Sequence, residues 1–176
     1  MDQEIYNELK KDYKENLLSH ATENGGVFPH ITVFAESKNE EEDENKLSLL
    51  HIVIPEEFME NDVTKDKFVK KLVPDIFAKI KKDFIPHAVA WASEGWMRIP
   101  PKDFKPDDDY KTLPKKECLI ITMESESEEE VILYEIQRNL NVDKEKGLID
   151  KIELIELKDT PSNIGGRFSG LFKKFK

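Results

Sequence analysis

The chain has a single cysteine, and no apolar run in it approaches the 18 residues a membrane-spanning helix needs. One thiol, Cys118, excludes an intramolecular disulfide and with it the small secreted folds stapled by such bonds. No basic and then apolar leader follows Met1. These absences lead to an expected location in the cytoplasm of a bacterial host cell, or in a virion assembled there. The signatures of common enzyme chemistry are missing as well: there is no Gly-rich phosphate loop, His-Glu-x-x-His, Cys-x-x-Cys or Gly-x-Ser-x-Gly. Neither catalysis nor a cofactor is expected.

Positive charge is also scarce, with 27 Lys and Arg against 37 Asp and Glu, a net charge of −10 at pH 7. The deficit is uneven. Residues 161–176 hold four basic residues and no acid, so by difference residues 1–160 carry −14. An acidic body of this kind repels nucleic acid and anionic membrane, which disfavours both as partners. At 176 residues the chain is the size of one domain. The expected organisation is a single acidic domain over 1–160 followed by a basic, aromatic tail over 161–176.

Within the body, Ile5, Leu9, Tyr13 and Leu17 recur every four residues, with Tyr6 and Leu18 beside them, and predict an amphipathic helix over 2–20 ended by Asn24, Gly25 and Gly26. The β-branched and aromatic runs 27–35 and 46–54 predict a hairpin whose acidic tip, Glu36 to Asn45, is solvated. A second helix over 64–83 is predicted, with Thr64 as cap, Val63 stapled onto Phe68, and a kink or break at Pro74. Strands follow at 86–98, 118–123, 131–137 and 152–157. A long irregular loop over 99–114 carries Asp107, Asp108 and Asp109, and Glu124 to Glu130 form a second acidic turn. The expected fold class is α+β: a largely antiparallel sheet of five to six strands, with two main helices packed on one face. The link from the second strand to the third is long enough for a parallel crossover, so a mixed sheet is the alternative.

Three histidines invite a metal reading. If Ala35 faces Lys46 across the hairpin, His30 faces His51, close enough to share a metal with His87 from the next strand. Histidines in apolar strands also serve simply as hydrogen-bonded core or edge residues, and that is the expectation here. Cys118, opening an apolar strand, reads as a small buried hydrophobe. Glu94, set between Trp91 and Trp96 on a strand, needs a cation, for which Arg98 or a lysine elsewhere is expected.

The tail carries the clearest pattern. Phe168, Leu171, Phe172 and Phe175 are spaced to share one helical face, with Arg167, Lys173, Lys174 and Lys176 largely off it. So short a peptide is only marginally helical alone and orders on contact. Its expected contact is a protein partner or a second copy of the chain, through Arg167, Phe168, Leu171, Phe172, Lys173, Lys174 and Phe175. Closure of the parent domain's own core is the competing reading.

Ser93, Glu94, Gly95, Trp96 and Met97, with the Pro- and Asp-rich loop 101–114 and the apolar strand 118–123 that follow, resemble a group of small uncharacterised proteins of bacteria and phages. Those proteins carry a Ser-Glu-Ala-Trp-Met strand, and Gly95 departs from the commoner alanine. The ending Gly166 to Phe172 is similar to tails on small phage proteins. The resemblance implies a phage or mobile-element setting and brings no activity with it. The function expected from the sequence is therefore that of a non-enzymatic, phage-encoded accessory protein binding another protein through its tail. A histidine-based metal protein and an acidic decoy for a nucleic-acid-binding or defence protein of the host are the alternatives.

Overall fold

The computed structural model describes residues 3–39, 47–100, 103, 105, 109–139, 148–155 and 170–175. Its elements run α1 (Gln3–Asn24), β1 (His30–Ser37), β2 (Leu47–Val53), α2 (Asp62–Lys67), α3 (Val73–Asp83), β3 (Phe84–Arg98), β4 (Lys115–Ser125), β5 (Glu129–Asn139) and β6 (Leu148–Ile155). The six strands form one open sheet in the order β2-β1-β3-β4-β5-β6, and with the two main helical segments this is an α+β fold. The sheet is antiparallel, with no mixed pairing. The crossover expected through the second helix does exist, but it steps over β1: β2 and β3 both pair antiparallel with β1 and never with each other.

The chain divides into two compact units, each built from three segments. The first comprises 1–27, 93–120 and 132–160. There α1 packs against β6. Its buried face runs Tyr6, Tyr13, Leu17, Ala21, while Ile5 is exposed. Tyr13 and Leu17 of the expected stripe are thus buried, and at its start Tyr6 takes the place of Ile5, an aromatic ring bringing more apolar surface to the interface than its polar tip suggests. Gly25 takes φ +71° and closes the helix, as the Asn-Gly-Gly sequence indicates.

The second unit comprises 28–92, 121–131 and 161–176. In it Ile31, Val33 and Ala35 of β1 share a buried cluster with Val89 of β3, Ile54, and Phe68, Val69, Val73 and Phe77 of the helical segment. That segment corrects two sequence expectations, the cap and the staple, and shows the break expected at Pro74. Its cap is Asn61 rather than Thr64: the Asn61 side chain accepts from the Val63 and Thr64 N–H groups, and Thr64 is the reciprocal partner. Val63 is exposed, and Phe68 packs on the Phe58 ring instead, with centroids 5.4 Å apart. The break falls just before Pro74, where Phe68–Leu72 form a π-helical turn and the Val73 N–H reaches back to the Phe68 carbonyl. Proline cannot donate to the carbonyl four residues earlier, and widening the preceding turn accommodates that loss.

Among the acidic segments, Glu36 is a β1 residue paired with Leu47, while 40–46 lie outside the described residues. Asp109 caps a short 3-10 turn, Tyr110–Thr112, by accepting the Lys111 N–H; Asp107 and Asp108 lie outside the described residues. Glu124, expected in a solvated turn, is instead a buried β4 residue.

Candidate functional site

Glu124 stands near the end of β4, one residue beyond buried Met123, and is only 5% exposed. A carboxylate so deep needs donors, because unpaired charge in a core is costly. Both donors come from the C-terminal segment: Glu124 Oε1 accepts the Gly170 N–H at 2.6 Å and Oε2 accepts the Phe172 N–H at 2.9 Å. Between those two amides lies Leu171, 1% exposed, and beside it Phe172, 8% exposed; both belong to the buried cluster containing Val73 and Phe77. Gly170 makes this turn possible with φ +68°, a conformation that other residues adopt only at a cost. A 3-10 turn over Phe172–Phe175 follows and packs on α3. Lys174 ties the turn back, donating its N–H to the Leu171 carbonyl and its Nζ to the Gly170 carbonyl at 3.5 Å.

Electrostatics at this clasp are finely opposed. Burial pushes the Glu124 carboxyl above its ordinary value, and the nearby Glu129 adds to that. The Phe172 and Gly170 amides and Lys174 pull the other way without cancelling it. Burial also lowers the Lys174 ammonium, against the pull of Glu124. In chemical terms the arrangement grips a peptide by two amides two residues apart and swallows the apolar side chain between them.

Of the residues singled out in the tail, Leu171 and Phe172 point into the second unit, Lys173 is exposed and Lys174 half-buried. Phe175 ends the 3-10 turn, and Arg167 and Phe168 lie outside the described residues. Gly170 is left-handed, so no helix continues through it, and the described helical turn spans Phe172–Phe175 alone. Glu124 itself escaped sequence reasoning. It is one more acid at the edge of an acidic run, and only its place in the alternation of β4, two residues after Thr122 and next to Met123, marks it as part of a strand.

The histidines do not converge on a metal. Thr32, not His30, faces His51, because the β1–β2 register is offset by two residues from the expected one. His51 Nδ1 bonds the Thr32 hydroxyl at 2.9 Å, His30 Nδ1 the Phe28 carbonyl at 2.9 Å, and His87 Nε2 the Glu36 carboxylate at 3.2 Å. Among the described residues no group of three or more His, Cys, Asp or Glu could hold a metal ion.

A second polar cluster lies in the first unit. Glu94 pairs neither with Arg98, which donates to the Leu113 carbonyl, nor with a lysine; its cation is Arg138 of β5. That guanidinium grips Glu117 with two bonds of 2.8 Å, reaches Glu94 at 3.1 Å, and donates to the Gly25 carbonyl at 2.7 Å. Glu94 in turn accepts the Val27 N–H at 2.6 Å. A side chain on Gly26 would put its Cβ 2.6 Å from Glu94 Oε1, so it would push that carboxylate off the Val27 amide. This cluster staples the turn after α1 to the sheet and spends its polar groups on one another. Cys118 is fully buried, its thiol pushed up first by burial and then by the charge of Glu135, which leaves it a poor nucleophile.

Comparison with protein-family models, curated proteins and solved structures finds no match. Among the described residues no helix is long and apolar enough to cross a membrane.

Proposed function

We propose that this chain is a non-enzymatic accessory protein that joins an assembly in the host cytoplasm or virion by exchanging its C-terminal segment with that of a protein partner. The phage or mobile-element setting rests on the resemblance of the Ser93–Met97 strand and of the tail sequence to small proteins of bacteria and phages. The observation that carries the reading is the clasp on Gly170 and Phe172: a short segment is seated through two apolar side chains and two amides on a single carboxylate. Burial of Leu171 and Phe172 contributes about 1.5–3 kcal/mol each before the cost of ordering the segment. Seated in this way the segment closes the core of its own unit, and the proposed exchange requires it to open locally so that a partner's segment can take its place.

Hydrogen exchange on the full-length protein, with a synthetic peptide of the sequence from Gly165 to Lys176, tests it. The Gly170 and Phe172 amides should exchange by local opening, faster than the amides of β1. The added peptide should bind with a Kd in the micromolar-to-millimolar range and raise that exchange further. Exchange of the two amides only through global unfolding, with no peptide binding, would sink the proposal.

A further inference from the structure

The sheet has two edges, and they are defended differently. On β6 the edge strand carries Asp150, Lys151 and Glu153, and Lys151 pairs with Glu153. Charges of this kind are the usual protection against pairing with a foreign strand. On β2 the seven residues Leu47–Val53 include no Asp, Glu, Lys or Arg. Its even-numbered side chains Leu50 and Ile52 pack on the buried cluster of the second unit, while on the other face His51 is exposed and Val53 is 64% exposed. Val53 pairs with His30, and the chain enters β1 beside it through Phe28, itself 66% exposed. The outer side of β2 has no strand neighbour among the described residues. An edge strand with no Asp, Glu, Lys or Arg, an exposed valine on it and an exposed phenylalanine on the segment beside it is a template for one more strand.

What would lie there is indicated by charge. Immediately after β2, the residues Glu56, Glu57 and Glu60 are exposed, and the whole chain is at −10. A second copy carries the same net charge of −10, so self-pairing is opposed by like charge. We propose that the β2 edge binds an extended segment of a different protein, one with apolar residues at alternate positions and lysine or arginine at its ends. Main-chain bonds to β2 supply the affinity, Phe28 and Val53 receive apolar side chains, and the acids beside β2 select the basic end. This surface is separate from the C-terminal clasp and does not rest on the function proposed above.

The test uses the full-length protein and a labelled peptide, Lys-Val-Thr-Val-Thr-Val-Lys, with a Glu-ended analogue. Anisotropy should show binding of the Lys-ended peptide and at least about tenfold weaker binding of the analogue. Val53→Lys should weaken binding about tenfold or more, whereas Leu154→Lys, which adds the same charge at the β6 edge, should weaken it much less. Hydrogen exchange on the unaltered protein should show β2 amides gaining protection on peptide addition. Equal binding by the two peptides, equal loss in the two variants, or protection appearing elsewhere would each overturn the proposal. So would sedimentation showing that the protein dimerises through β2, with Val53→Lys restoring the monomer.

Discussion

Glu124 illustrates how a charge is held where charges are costly. Its two amide donors favour the carboxylate, yet burial outweighs them, so its carboxyl is held above its ordinary value when the C-terminal segment is seated. A group that binds its proton more tightly in the seated state favours seating when protonated. Acidification from the raised value down toward the ordinary glutamate range should therefore seat the segment more firmly, and the gain should be absent above that window. Protection of the Phe172 amide measured against pH should show this trend, and Glu124→Gln should flatten it. Lys174, lowered by burial, acts in the alkaline range and with the opposite slope, so the two are separable. Cys118 gives a simpler outcome. Buried, with its thiol pushed up, it should resist a thiol reagent in the native protein and react on unfolding, which mass spectrometry across a urea series would record.

At the scale of elements, the helical segment between β2 and β3 shows what local rules can and cannot decide. Asn61, not Thr64, is the cap, so Asn61→Ala should cost about 1 kcal/mol by chemical denaturation. The break near Pro74 was legible because proline's missing N–H is a property of the residue alone. The strands, the α+β class and the hairpin of β1 with β2 were legible for a similar reason: alternation and turn residues are local. Register was not, and a two-residue offset was enough to part His30 from His51 as facing residues. Arg138 was invisible for a deeper reason. Its partners Glu94, Glu117 and Gly25 lie on three separate segments, and nothing in one strand names a cation on another. In the tail, the structure seats Leu171 and Phe172 in the buried cluster of their own unit, the competing reading of the apolar spacing, and spacing cannot say that Gly170 would leave the helix.

For the whole molecule, acidity turns out to be more than a solvated coat. Some of the acids most exposed in composition are used inside: Glu124 holds the C-terminal segment, and Glu94 and Glu117 hold Arg138. The guanidinium, 7% exposed, also spans the chain, since its bond to the Gly25 carbonyl closes a separation of 113 residues, against 21 for its bonds to Glu117. By the logarithmic law for loop closure, the longer link costs about 1.5 kcal/mol more chain entropy. The turn after α1 should therefore be captured late, after the β4–β5 hairpin has presented Arg138 and Glu117 together. Arg138→Met, which leaves the part-buried carboxylates of Glu94 and Glu117 without their cation, should cost about 2–3 kcal/mol. In stopped-flow measurements the share of that loss that belongs to the late links to Gly25 and Glu94 should appear as faster unfolding, and only the share that belongs to Glu117 as slower refolding. Those late links would then act as a kinetic lock, setting how long the folded chain lasts rather than how quickly it forms.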